Sequence, residues 1–213
     1  MWQKHCQICL RQSAQLLCEH CWQQATPLDS VQGRQLLSGL GFPLPHLAYA
    51  AYGGVTKQWL YLLKYDQGKA LAYHLGQRLG LWYQQHWPLP DVLVPVPLYP
   101  QRQLERGYNQ AEQMARGFGA IVKRPCVLAL ERQRETPPLY NLNPQERQAA
   151  LQDAFVIHPK MLKKWASKRI LIIDDIFTTG STLTQSASAL APHSKRLISL
   201  TLTRALIAEP LDL

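Results

Sequence analysis

The stretch RILIIDDIFTTGSTL, residues 169–183, passes from an apolar block through two adjacent carboxylates into a hydroxyl-rich loop and then into a helical pattern. Ile170, Leu171, Ile172 and Ile173 make a run of the length and composition of a buried strand. Thr178, Thr179, Gly180, Ser181 and Thr182 follow, offering successive backbone N–H groups and hydroxyls where a helix is expected to begin. A helix start presents free amides and the positive end of its dipole, and glycine lets a ligand approach the backbone closely. The loop therefore reads as a cradle for a terminal phosphate. Asp174 and Asp175, when ionised, only accept hydrogen bonds, which suits the hydroxyls of a sugar carrying that phosphate. The glycine-lysine loop of nucleotide triphosphatases and the three-glycine turn of dinucleotide-binding proteins are both absent. The alternative is an ordinary strand-to-helix connection with a polar cap.

Working outward, the same alternation recurs. HLAYAAYGG (46–54) reads as a strand ended by a glycine pair, and TKQWLYLLKY (56–65) and ALAYHLGQRLGLWYQQ (70–85) repeat apolar residues at helical spacing. DVLVPVP (91–97) is a short strand halted by prolines, and YNQAEQMARGFGAIV (108–122) is a helix. CVLAL (126–130) is expected as another strand, and NPQERQAALQDAF (143–155) as a helix with Asn143 as cap and Pro144 in its first turn. STLTQSASALAP (181–192) is a further helix and RLISLTLTRAL (196–206) the last strand. Strands separated by helix-length segments predict an α/β fold with an open, largely parallel sheet. Ligands on such sheets bind beyond the carboxyl ends of the strands, here after Pro97 and after Ile173.

The first forty residues have a different character. Cys6, Cys9, Cys18 and Cys21 form two C-x2-C pairs in a segment with few large apolar residues. Two such pairs complete a tetrahedral four-sulfur shell for Zn2+, whose binding would supply the folding energy that a small core cannot. Two redox pairs or surface disulfides are the alternative, and His5 and His20 read as flanking solvated residues. Cys126 has no cysteine nearby and reads as a core residue. A connector punctuated by glycine and proline, GLGFPLPH, leads to a division of the chain into a knuckle and connector over 1–40 and a main domain over 45–213.

The 213 residues carry a formal charge of +9, which favours an anionic partner without naming one. No apolar run is long enough for a signal peptide or a membrane span, so a cytoplasmic location is expected. Lys123, Arg124, Lys160, Lys163, Lys164, Lys168 and Arg169, with Trp165 among them, could contact the phosphates of single-stranded DNA and stack a base; otherwise they form a solvated face.

The strand, acidic pair and TTGST sequence closely resemble the ribose 5-phosphate motif of type I phosphoribosyltransferases. More narrowly, the chain resembles the ComF family of competence and DNA-utilisation proteins, including the GntX type. The resemblance runs through the cysteine pairs, LLKYDQ (62–67), VPVPLYPQRQLERGYNQAEQMA (94–115), ERQRETPPLYNL (131–142), RQAALQDAF (147–155) and IDDIFTTGST (173–182). It implies a parallel-sheet, type I phosphoribosyltransferase-like domain preceded by a small four-cysteine zinc module. It implies that Asp174 and Asp175 contact the ribose hydroxyls, that Thr178 to Thr182 hold the 5-phosphate, and that Arg102 and Arg106 receive the pyrophosphate of phosphoribosyl pyrophosphate. Arginine's planar fork suits phosphate oxygens, although a solvated pair at a helix start is the plainer reading. Lys64 and Arg132 match family positions as basic groups near the cleft, whereas Leu139 and Ala150 stand where many relatives have glutamine and asparagine. The resemblance further implies Mg2+ with phosphoribosyl pyrophosphate if the protein is active, and partners among single-stranded DNA and the DNA-uptake machinery. Three readings stand: a sugar-phosphate binder acting in DNA uptake or utilisation; an active phosphoribosyltransferase on an unknown acceptor, with Asp174 or Asp175 as catalytic candidates; and a non-catalytic scaffold for single-stranded DNA or protein.

Overall fold

The computed structural model describes residues 5–28, 33–37, 42–64, 68–133, 154–158, 165 and 167–206. Its centre is a five-stranded sheet in the order β1-β2-β7-β6-β3, formed by β1 (Arg34–Leu37), β2 (Leu44–Ala51), β3 (Val92–Pro95), β6 (Lys168–Phe177) and β7 (Ser194–Arg204). All neighbours run parallel except β1, which lies antiparallel along β2. The remaining strands, β4 (Leu130–Arg132) and β5 (Phe155–Ile157), make a separate antiparallel ribbon.

Alternation along β6 explains the layering. Leu171 and Ile173 face one side, packed with α3 (Gly68–His86) and α5 (Gln110–Val122), while Ile170 and Ile172 face the other, packed with α6 (Ser181–Leu190). A strand buried on both faces reads as a continuous apolar run, as the opening stretch does. The helices α3 and α5 approach closely because both carry glycine at the crossing. A Cβ on Gly76 would lie 2.0 Å from the Met114 carbonyl oxygen, and one on Gly117 would lie 2.0 Å from that of Tyr73. Two shorter helices complete the body, α2 (Gly54–Leu62) after β2 and α4 (Pro100–Arg106) after β3.

Three expectations need correction. CVLAL is not a strand of the main sheet: Cys126 makes a single bridge to Leu93, and the chain then leaves to pair Leu130–Arg132 with Phe155–Ile157. The Leu93 N–H donates to Pro125 O at 3.0 Å and Val127 N–H donates to Leu93 O at 2.8 Å, after which the ribbon provides a different partner. Phe155, expected at the end of a helix, is the first residue of β5; the rest of that predicted helix, 143–153, lies outside the described residues. The connector also holds an unexpected strand, β1.

The cysteine segment packs onto this body. Its helix α1 (Glu19–Gln23) carries Trp22, whose ring stacks on Tyr49 at 4.5 Å and on Trp59 at 5.3 Å. Arg78 of α3 pairs with Glu19 at 2.9 Å and sets its guanidinium over the Trp22 ring. Among the described residues no helix is long and apolar enough to cross a membrane.

Candidate functional site

Asp174 and Asp175 lie near the carboxyl end of β6, where Asp174 is in register with Thr201 of β7. The Asp175 N–H donates to Asp174 Oδ1 at 2.9 Å, so the two acids are held as a unit. Burial first, and the adjacent Asp175 charge second, push the Asp174 carboxyl well above the usual carboxylate range, against a smaller downward pull from Arg132. A like charge beside a carboxyl disfavours its ionised form, and an opposite charge brought by a partner restores it.

Four basic side chains surround the acids in two pairs. Lys64, beyond the end of α2, is lowered from the ordinary lysine value by burial and then by Arg106, with Asp175 pulling the other way. Arg132, at the end of β4, is lowered by burial and then by Arg102, with Asp174 pulling the other way. Lys64 and Arg132 thus each have one of the acids and one further cation within electrostatic reach. Arg106 is linked to Asp175 through Gln110: its guanidinium donates to Gln110 Oε1, and Gln110 Nε2 donates to Asp175 Oδ2 at 3.1 Å. Gln110 opens α5, fixed by the Asn109 cap, which accepts from Ala111 N–H at 2.9 Å and donates to Val96 O at 2.9 Å. The structure therefore brings Asp174, Asp175, Arg102, Arg106, Lys64 and Arg132 to one edge of the sheet.

The loop after β6 supplies the other half. Gly180 has φ +80° and precedes α6, whose first turn receives no side-chain cap hydrogen bond. A Cβ there would lie 2.8 Å from the Phe177 ring, so both backbone angle and space call for glycine. Thr178, Ser181 and Thr182 are half-buried and Thr179 is exposed, with Thr179 and Ser181 hydroxyls 3.0 Å apart. Beneath the loop Phe177 stacks on His46 at 4.3 Å. Burial, and then Arg204, take His46 down to about 3, so it is a neutral ring, linked to Ser199 at 3.1 Å. Uncapped amides over a rigid floor suit an anion.

Gln110 falls in a stretch that carries the resemblance but has no role assigned by the sequence, and His46 and Arg204 lie outside those stretches. The sheet register brings His46 and Arg204 to the loop after β6, and the start of α5 brings Gln110 to Asp175. The proposed single-strand contacts fare differently: Lys160, Lys163 and Lys164 lie outside the described residues, and Trp165 packs half-buried against the core. Arg169 is bound to Asp91 at 2.7 Å, and Arg124 donates to Pro90 O at 2.8 Å. Lys123 and Lys168 are exposed.

At the other end of the chain, the sulfurs of Cys6, Cys9, Cys18 and Cys21 all lie within 4.8 Å of one another. Zinc–sulfur bonds of about 2.3 Å in a tetrahedron would set sulfurs roughly 3.8 Å apart, and Cys9 and Cys18 sulfurs stand at 3.6 Å. Burial pushes the Cys6 thiol up, but backbone N–H groups of Cys18, Cys9 and Ile8 more than reverse this and take it to about 6. Burial pushes Cys21 up, and the neighbouring thiols add to it. The set fits a metal such as zinc, which would supply the cross-link of this small module. His5 and His20 are exposed beside it. Cys126 is partly buried against the core, its thiol pushed up to about 12 by burial.

No family model matches the chain. Over 103 residues it is 32% identical to competence protein F of Haemophilus influenzae, a match covering 48% of this chain and 44% of that protein. Over 199 residues it is 28% identical to the DNA utilization protein YhgH of Escherichia coli K12, covering 87% and 83%. It is 25% identical to competence protein ComFC of Streptococcus pneumoniae over 185 residues, covering 85% and 71%. Among solved structures, the allosteric regulatory enzyme of purine biosynthesis matches with TM-score 0.43 and 16% identity, over 63% of this chain and 26% of that one. Adenine phosphoribosyltransferase of Leishmania tarentolae matches with TM-score 0.40 and 11% identity, over 81% and 83%. The chain is a homologue of competence protein F, ComFC and the DNA utilization proteins.

Proposed function

We propose that the chain binds phosphoribosyl pyrophosphate, or a closely related sugar phosphate, at the carboxyl edge of its sheet and acts in the uptake or utilisation of DNA. One observation carries this reading: an acidic pair flanked by two cation pairs, followed at once by an uncapped helix start behind Gly180. The acids suit ribose hydroxyls. The amides of residues 180–182 suit a terminal phosphate. Lys64, Arg102, Arg106 and Arg132 suit a pyrophosphate, whose negative charge relieves the repulsion within each pair. Mg2+, if it accompanies the ligand, would neutralise pyrophosphate charge; this chain's own part is to orient the sugar and hold its phosphates. The place in DNA utilisation rests on the names of the relatives. Transfer to an acceptor is a separate proposal, to be tested only once binding is established.

The test is calorimetric titration of zinc-loaded protein with phosphoribosyl pyrophosphate and Mg2+, beside Asp174→Asn and Asp175→Asn. Saturable binding by the wild type, weakened at least about tenfold in each variant, is expected from the loss of one charged acceptor. No binding by folded wild type would overturn the reading and turn attention to single-stranded DNA. The observation favouring that second reading is a cluster of exposed cations, Lys168, Arg169, Lys195 and Arg196, at the opposite edge of the sheet.

A further inference from the structure

The four-cysteine module packs, through Trp22, on α2, the helix that leads to Lys64. Trp22 stands in the turn of chain that carries Cys18 and Cys21, and its ring lies stacked nearly parallel to that of Trp59, at an interplanar angle of 6°. Trp59 is 0% exposed, and its indole N–H has no hydrogen-bond partner among the described residues, so ring packing is what places it. It occupies the middle of α2. One turn later the Leu63 N–H donates to Trp59 O at 3.0 Å, and the Leu63 carbonyl accepts from the buried Tyr108 hydroxyl. Lys64 is the next residue, beside Asp175 and Arg106. The start of α2 is fixed independently, with Thr56 Oγ1 donating to Ala51 O at 2.8 Å. The helix is thus anchored to the sheet at one end, and its other end is held between the packed Trp59 ring and the Tyr108 hydroxyl.

We propose that Trp22 is a positioning residue for Lys64: the cysteine module, once cross-linked, presses the Trp22 ring on Trp59 and so fixes the end of α2 that carries Lys64. The identity of what Lys64 binds rests on the sugar-phosphate reading; where Lys64 is held does not. Loss of metal would then slacken the anion site from a distance, without any cysteine touching ligand.

Two measurements separate these points. The first is ligand-free: the rate at which a small acylating reagent labels Lys64, read by mass spectrometry with exposed Lys195 of β7 as reference, in zinc-loaded wild type and Trp22→Ala. Labelling of Lys64 should rise in the variant while Lys195 is unchanged, and chelation of the wild type should reproduce the rise. The second is a binding cycle with phosphoribosyl pyrophosphate on wild type, Trp22→Ala, Lys64→Ala and the double variant. Each single change should weaken binding about tenfold, the scale of one charge-assisted contact, and the double variant should be no weaker than Lys64→Ala. An unchanged Lys64 rate in a variant that retains zinc, or single effects that multiply in the double variant, would overturn the proposal. If wild type binds no ligand, the sugar-phosphate reading falls while the labelling still decides the role of Trp22. Should Trp22→Ala fail to fold, Trp22→Leu, which keeps apolar bulk without a stacking plane, is read for the same outcomes.

Discussion

Asp174 is the residue at which sequence and environment pull hardest against each other. Its folded-state value is raised by burial and by Asp175, so the ionised carboxylate is less favourable in the folded chain than in the unfolded one. The sign of the pH dependence follows. Below about pH 4, the unfolded value, both states hold the proton and the group costs nothing. As pH rises from there through the raised folded value, stability is lost. Asp174→Asn should therefore melt with the wild type at pH 3.5 and a few degrees above it at pH 7; thermal unfolding followed by circular dichroism across that range checks it. Equal melting temperatures at pH 7 would show that Asp174 ionises freely. The acidic pair and its hydroxyl loop were legible because they are contiguous. Gln110 was not, since its bond to Asp175 spans 65 positions and depends on where α5 begins.

At the scale of elements, the glycines of α3 and α5 decide how near the two helices come, and α5 in turn delivers Gln110. Both absent Cβ atoms would meet backbone carbonyls, which cannot rotate aside as a side chain end can. Gly76→Ala should therefore separate the helices and destabilise the protein by about 3 kcal/mol, or roughly 6–12 °C in melting temperature; loss of less than a degree would show that the crossing is slack. The helices themselves were readable from apolar spacing, with Leu71, Leu75 and Leu79 on one face of α3. The ribbon of β4 and β5 was not, because three-residue strands draw their stability from a partner far along the chain. CVLAL had the composition of a sheet strand, but only Cys126 bridges to β3 before the chain turns toward that partner.

For the whole molecule, the largely parallel sheet and the place of the motif-bearing loops at its carboxyl edge followed from the alternation of strand and helix patterns. How the cysteine segment meets the body did not, since Trp22, Tyr49, Trp59 and Arg78 have no shared pattern along the sequence. The connector also proved more than a spacer. Its strand β1 covers one side of the sheet, and at the other side Pro125 to Val127 bond to β3, so neither long strand is left with a bare row of amides and carbonyls. Remove residues 1–37 and β2, eight residues apolar but for His46, becomes an open template for self-association. Such a truncated chain should form aggregates seen by light scattering at concentrations where the full chain stays dispersed, and a monodisperse product would refute this. Four residues of connector thus serve as a guard strand: they keep one copy of this protein from pairing with the next.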